Sequence, residues 1–189
     1  MAANKDDVGI CNLALTMLST SRIESLTEDS ENARKCNAIY NLTRDGLLTQ
    51  HYWNFSLKEA SLASTGDTPT IEDWAYIFQL PTDCLQVVYN DGQYPYAIIG
   101  DKLYSNQSTC NIRYVSRVTT PQLFSYGFVN ALAARLAADL AFGITQNASL
   151  TQAMEAKAQQ ALKEAKWSDS QEGVGNTPMQ SSFITARQA

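Results

Sequence analysis

Residues 120–146 form the longest apolar stretch of the chain, and they limit what the rest can fold into. Thr120 is a favourable helix N-cap, and Pro121 suits the first helical position, where its missing N–H costs nothing. Nearly every residue from 123 to 144 is apolar or small. A helix that is apolar on almost every side is typical of a buried central helix. We therefore predict a core helix over residues 120–146, against which the other helices pack.

The core helix also carries a few polar residues. Arg135 and Asp139 are four positions apart and can pair along one side of the helix. These charges, together with Asn130 and the predominance of alanine, argue against a helix that spans a membrane. We expect the helix to be the rigid centre of a globular domain, with the fourth helix leading away to the end opposite the inserted sheet.

Apolar residues at helical spacing predict three further helices. The first covers residues 6–19. The second is capped by Asp29 or Ser30, whose side chains can accept from the free N–H groups of the first turn. The last covers about 150–167 and begins with a capping-box arrangement at Ser149–Gln152.

The middle of the chain has the pattern of strands. Apolar and polar residues alternate over 74–79 and again over 111–118, with shorter β-rich runs between them. Residues 56–63 fit a strand or a helix equally well. Asn90-Asp91-Gly92 predicts a hairpin, since Asp-Gly favours positive φ. These runs predict a small antiparallel sheet inserted between two helical halves.

The predicted fold class is therefore mainly α: a four-helix body with a small antiparallel β-sheet insertion and an extended C-terminal tail. The helical body comprises residues 1–55 and 119–168, and the inserted β region comprises residues 56–118. The tail comprises residues 169–189. From residue 168 to 182 the chain is mostly Ser, Gln, Gly, Asn and Asp with one Pro, a composition that cannot bury enough apolar surface to order itself. Phe183 and Ile184 follow, and an apolar pair on a polar tether is typical of a docking peptide.

Charge and cysteine content exclude several classes of function. The net charge is −5 and no segment is a basic patch, so sequence-independent binding to DNA phosphates is disfavoured. The four cysteines are spread along the chain without a CxxC motif, which favours buried thiols over a metal site. The polar N-terminus lacks the apolar run of a signal peptide. We expect no metal, no cofactor and no membrane association.

Few residues have the pattern of a catalytic site. His51 is the one histidine, and nothing beside it in the sequence supports activation of a cysteine nucleophile. Glu72 with Asp73, or Glu24 with Glu28, could supply the two carboxylates of a glycosidase. Acidic residues on loops are more often solvated surface. The three tryptophans are more typical of a core or a subunit contact than of a ligand site.

Several short runs, in this order and spacing, resemble one protein family. The N-terminal runs are Ile10-Cys-Asn-Leu-Ala-Leu-Thr-Met-Leu18, Ile23-Glu-Ser-Leu-Thr-Glu-Asp-Ser30, Ala33-Arg-Lys-Cys-Asn37, Arg44-Asp45 and Trp53-Asn-Phe55. The later runs are Tyr76-Ile-Phe-Gln-Leu-Pro-Thr-Asp-Cys84, Arg113-Tyr-Val115 and Ala131-Leu-Ala-Ala-Arg-Leu-Ala-Ala-Asp-Leu-Ala141. Over residues 8–172 the chain resembles the head-to-tail adaptors of short-tailed bacteriophages, also called tail tubular protein A or tail accessory factor.

The resemblance implies a structural virion protein without a catalytic site. Such adaptors are assembled in the host cytoplasm into a twelve-subunit ring in the virion tail, between the portal protein and the distal tail proteins. The ring extends the channel through which DNA passes without specific binding. The C-terminal segment of such adaptors reaches along the portal. Here the matching segment predicts the partner-binding residues Trp167, Met179, Phe183, Ile184 and Arg187.

Two further interpretations stay open from the sequence. One is a tail-associated cell-wall hydrolase that uses acidic residues such as Glu72 and Asp73. The other is a DNA-binding module, which the charge distribution disfavours. Ring closure joins two different surfaces of neighbouring subunits. Basic residues of the second helix (Arg34, Lys35, Arg44) and acidic residues of the 72–91 region are candidates for these surfaces.

Overall fold

The computed structural model describes residues 5–70 and 73–172. Its helices are α1 (Asp7–Met17), α2 (Glu31–Leu48), α3 (Tyr126–Thr145) and α4 (Ala148–Glu172). Its strands are β1 (Leu57–Leu62), β2 (Tyr76–Gln79), β3 (Cys84–Asn90), β4 (Tyr96–Ile99), β5 (Lys102–Ser105) and β6 (Cys110–Ser116). Two helices thus precede all the strands and two follow them.

The expectation of a mainly α protein with one small inserted sheet is wrong. The strands form two three-stranded antiparallel sheets, β1-β6-β3 (sheet A) and β2-β5-β4 (sheet B). Residues 57–62, which fitted either structure in the sequence, form strand β1, because every residue of the run pairs with β6. The fold is therefore mixed α/β, and the strands form a second unit that consists of two packed sheets.

Side-chain caps start all four helices, and at α4 the Asn147 side-chain oxygen accepts from Leu150 N at 3.1 Å. Asp6 accepts from Gly9 N at 2.6 Å at the start of α1, and Ser30 accepts from Ala33 N at 3.2 Å at the start of α2. These contacts confirm Ser30 as one of the two predicted caps. The predicted start of the core helix at Thr120 is wrong, because Ser125 caps α3 instead.

The late start of α3 has a packing cause. Residues Pro121–Leu123 form a separate 3-10 turn, and Phe124 has an extended backbone. This kink directs the fully buried Phe124 ring into an aromatic cluster with Phe55 and Phe128, whose ring centroids lie 5.6 and 4.9 Å from it. A continuous helix from Thr120 would not present Phe124 in this way.

Helix α3 is the centre of the larger core. Its leucines and most of its alanines are fully buried against α1, α2 and α4. Among the described helices it is the one long and apolar enough to cross a membrane, with a mean hydropathy of 1.3 over its best window, but 56% of that window is buried inside the protein. On its polar side Arg135 pairs with Asp139 and bonds to Glu155 at 2.9 Å. Its composition therefore fits the core helix of this fold.

Helix α4 runs antiparallel to α3 and packs closely along it. A Cβ added at Gly127, near the start of α3, would lie 3.2 Å from the Ala165 Cα in the last third of α4. Four residues later, Asp169 bonds to Asn54 just before β1. The C-terminus of α4 is therefore at the same end of the body as the sheets, and the expectation that α4 leads to the opposite end is wrong.

Sheets A and B pack face to face and are joined along one side. Beyond β1, Ser64 forms an antiparallel bridge with Phe78 of β2, and Thr65 N donates to Ile77 O at 2.9 Å. The second core lies between the sheets and includes Leu62, Phe78, Val87, Leu103, Cys110, Ile112 and Tyr114. The opposite face of sheet A contributes Val115 to the helical core. Sheet A therefore separates two hydrophobic cores.

The predicted hairpin at residues 90–92 is wrong, although its turn chemistry is present. Gly92 has a φ of 73°, as the Asp-Gly pair predicts. The flanking strands β3 and β4 nevertheless belong to different sheets. The hairpin of sheet B is formed one strand later, where Gly100 at a φ of 65° connects β4 to β5.

Candidate functional site

One buried carboxylate holds the end of the helical body that lies next to the sheets. Asp169, on the last turns of α4, is 3% exposed. Its carboxylate accepts from the Asn54 backbone N at 3.2 Å and lies 3.2 Å from the His51 Nε2. In return, the Asn54 side-chain amide donates to the Asp169 carbonyl at 2.7 Å. These bonds hold the end of α4 against the segment that enters β1.

Large apolar side chains are exposed around this fastened end. Tyr126 at the start of α3 is 84% exposed, and Trp167 near the end of α4 is 69% exposed. Leu123 and Tyr52 are also exposed. The Lys5 ammonium lies 4.9 Å from the centroid of the Tyr126 ring and bonds to Gln122 O. We call these four apolar residues the apolar end; they are typical of a surface that contacts another protein.

The part of sheet A that the helices leave uncovered holds a shallow polar groove. It has a volume of about 410 Å³. Arg113 lies at its centre, bonded to the Glu59 carboxylate and stacked 5.0 Å from the Tyr89 ring centroid. The hydrogen bond to Glu59 raises the pKa of Arg113. Asn111 and Asp91 flank the pair. Since the charged groups satisfy one another, the groove has the properties of ordinary protein surface.

Of the carboxylates considered for hydrolysis, Glu28 lacks the properties of a general acid. Glu28 accepts from Ser30 Oγ and from the backbone N–H groups of Glu24 and Ser25, and these bonds lower its pKa. A general acid needs a raised pKa. Glu72 lies outside the described residues, and Asp73 is on the exposed surface.

Asp83 and the polar residues around it form a second group of contacts, which lies at the start of β3. Its carboxylate accepts from Lys58 Nζ at 2.7 Å and from Tyr114 OH at 3.1 Å. Partial burial opposes ionisation, but the two donors outweigh it and hold the pKa of Asp83 below its usual value. Burial, together with the bond to Asp83, raises the pKa of Tyr114 to about 12. This group ties the start of β3 to β1 and β6 within sheet A.

His51 and the cysteines have structural surroundings. The His51 ring packs edge-on against Trp53 at 4.9 Å in addition to its contact with Asp169. Cys11 and Cys36 are fully buried in the helical core, where hydrogen bonding to Cys36 and burial raise the pKa of the Cys11 thiol. Within residues 5–70 and 73–172, no three His, Cys, Asp or Glu side chains are grouped as a metal site would require.

The family that the sequence resembles is not recovered by comparison. Neither the models of known protein families nor the curated protein sequences give a match to this chain. The function therefore has to be argued from the residues and their arrangement.

The structure covers one of the five predicted partner-binding residues. Trp167 is exposed on the outer side of α4, as a partner contact requires. Met179, Phe183, Ile184 and Arg187 lie outside the described residues. The predicted tail boundary at residue 169 is wrong, because α4 continues to Glu172. Its extra turn is fixed by the buried Asp169.

The predicted basic surface of α2 is wrong at one position. Arg44 is 5% exposed and bonds to Asp45 and Asn41, so it stabilises the body. Arg34 is exposed and pairs with Asp29. Lys35 pairs with Glu31 and donates to Gly143 O at 2.7 Å, which ties the start of α2 to the end of α3. The remaining basic groups of α2 are therefore largely neutralised within the chain.

Sequence reasoning missed the fastening of α4. In the sequence, Asp169 falls in the predicted tail, and Asn54 falls in the segment that follows the second helix. The signal was nevertheless present, because Ala158, Ala161, Ala165 and Asp169 continue one helical stripe at spacings of three and four. A polar residue on an otherwise apolar stripe indicates a buried polar contact.

Proposed function

We propose that this chain is a structural virion protein, the head-to-tail adaptor of a short-tailed bacteriophage. It assembles into a ring between the portal protein and the distal tail proteins, and the ring extends the DNA channel. It carries out no catalysis. The proposal starts from the sequence resemblance over residues 8–172, and the observation that carries it in the structure is the apolar end.

The apolar end is suited to a protein partner. Tyr126 and Trp167 are aromatic side chains on stiff helices, and aromatic residues are enriched at protein interfaces. Both helices are held in place beneath them by close α3–α4 packing at Gly127 and Ala165. A rigid surface loses little conformational entropy when a partner binds.

The chain that follows α4 is long enough to act as the portal-binding arm. Residues 173–189 comprise seventeen positions and begin at the apolar end. Fully extended, seventeen residues span at most about 60 Å. Helix α3, with twenty residues, is about 30 Å long. The arm can therefore reach a portal located beyond either end of the body.

The surface charge agrees with a channel that lets DNA pass. The chain has 19 acidic and 14 basic residues. A protein with no excess of basic groups releases few phosphate counterions and so has little sequence-independent affinity for DNA. We propose that DNA moves through the ring without specific binding.

The proposal is tested by mixing the protein with its cognate portal. Light scattering and negative-stain imaging should detect a ring on the portal, whereas the protein alone should stay a monomer or a weak oligomer. Absence of any complex would overturn the adaptor proposal.

A truncation tests the arm separately. The cut belongs after Glu172, because a cut at Ser168 would also remove the Asp169 fastening. The shortened chain should keep its circular dichroism spectrum and lose portal binding; normal binding would show that the arm is not required. Trp167→Ala should weaken portal binding, while Gln160→Ala, on the exposed surface of the same helix, should not.

A further inference from the structure

Sheets A and B are joined along one side only, and the other side is open. The closed side has the Ser64–Phe78 bridge. On the open side lie β3 and β4, the outer strands of the two sheets, and each is paired only on its inner side among the described residues. We call the space between these two strands the seam. An unpaired strand edge exposes N–H and C=O groups that can pair with another strand.

The seam is a groove whose lining mixes apolar and polar side chains. Its cavity has a volume of about 280 Å³ and is lined, among others, by Leu80, Pro81, Gln86, Val87, Ile98 and Asp101. Asp101 accepts from the Gln79 amide at 3.0 Å and is the one charged residue among those that line the cavity. Asn90 Nδ2 donates to Tyr94 O at 2.9 Å and closes one end.

Apart from its length of four residues, strand β4 lacks the features that usually protect an edge. Ile98 and Ile99 are 47% and 48% exposed, and the strand Tyr96–Ile99 contains no charge, proline or bulge. By contrast, β1 carries Lys58 and Glu59 in ion pairs with Asp83 and Arg113. An uncharged apolar edge is a site of strand addition.

The end of α4 is close to the seam. Asp169 bonds to Asn54, and two residues later Ser56 O accepts from Ser116 N at 2.8 Å. Ser116 pairs in turn with Cys84, the first residue of β3 and part of the lining of the seam. Residues 173–178 can span up to about 20 Å and bring the positions that follow them to this groove.

The sequence beyond α4 suits the seam in strand preference, and it brings no carboxylate close to Asp101. Residues 173–186 contain no charged side chain. Phe183, Ile184 and Thr185 are β-branched or aromatic, which favours a strand. We propose that residues 179–186 of the same chain dock in the seam as an added strand when the protein is free. Under the adaptor function proposed above, portal binding draws this segment out of the seam.

Hydrogen exchange of the full-length protein, without any portal, tests the docking. Ile184→Asp places a charge on the docked segment, and Gln188→Asp places the same charge outside it. Amides of the peptide 94–99 should exchange at least tenfold faster in the first variant and at the wild-type rate in the second. Unchanged exchange in Ile184→Asp, or equal acceleration in both variants, would overturn the proposal.

A disulfide identifies which copy supplies the segment. Cys84 lines the seam, so Ser182→Cys should form an intramolecular bond with it when diamide oxidises the two thiols. Asn176→Cys, in the connecting residues, should cross-link more slowly. A covalent dimer through Cys84, or no bond at all, would refute docking within one chain. Because these tests use the protein alone, their failure leaves the adaptor proposal to be judged by the portal experiment.

Discussion

Removing the Asp169 carboxylate should destabilise the protein by about 3 kcal/mol. In Asp169→Ala, the Asn54 N–H and the His51 ring lose their shared partner at a nearly buried site. A hydrogen bond to a charged group contributes about 1.5–3 kcal/mol, and a donor left without a partner costs about 1–3 kcal/mol. The observed lengths of 3.2 Å place each bond near the lower value.

Urea unfolding at neutral pH measures this loss. For a chain of this length, about 3 kcal/mol corresponds to a fall in Tm of roughly 6–12 °C. Asp169→Asn keeps the side-chain size and one acceptor, so we expect about half the effect. Asp67→Ala is the control, because the Asp67–Lys102 pair is exposed and should contribute less than about 1 kcal/mol.

A free energy of unfolding for Asp169→Ala within about 0.5 kcal/mol of the wild type would show that this carboxylate does not hold the end of α4. A double-mutant cycle with His51→Ala sharpens the result, since groups that share a hydrogen-bond network show coupling of about 0.5–3 kcal/mol. Hydrogen exchange should also accelerate in the last turn of α4 in Asp169→Ala. Acceleration spread evenly over α4 would instead indicate loss of the whole helix.

Three further changes test the packing, the charges and the thiols. Gly127→Ala should destabilise by about 1 kcal/mol because its Cβ meets the Ala165 backbone, whereas Gly143→Ala, with open space, should stabilise by up to about 1 kcal/mol in urea unfolding. Because folding lowers the pKa of Asp83, its contribution is present above the usual Asp pKa of about 4 and is lost as the pH falls through the lower folded-state pKa, so unfolding curves of Asp83→Asn and wild type should converge at acid pH. Among the cysteines, half-buried Cys84 should react first with a thiol reagent, and the buried ones should react at the rate of unfolding.

Features set by neighbouring residues could be predicted from the sequence. The Ser30 cap and the positive φ of Gly92 follow from local chemistry, and both are present. The identity of the strand that pairs with β3 does not follow from local chemistry. A turn fixes the direction of the chain, but it does not determine which strands pair with each other. Sequence pattern therefore predicted strands in the right region and failed to divide them into two sheets.

The candidate site was predictable only in part. Trp167 is exposed, as a partner contact requires, but its outward position follows from the register of α4 against α3. That register is set by contacts such as Gly127 with Ala165, which lie 38 positions apart in the chain. The burial of Asp169 depends on Asn54, which is more distant still. Contacts between residues so far apart in the chain produce little signal in the local sequence.

The division of the helical core between the two ends of the sequence affects folding during synthesis. Helices α1 and α2 bury their apolar faces mainly against α3, which begins only at Tyr126. A nascent chain that has passed β6 still lacks the central helix, so Leu15, Cys36 and Leu47 remain accessible to chaperones until α3 leaves the ribosome. Because the last helix closes over α3, a ribosome that stops before residue 169 releases a chain without its final fastening. Translation through the end of α4 is therefore a condition for a stable fold.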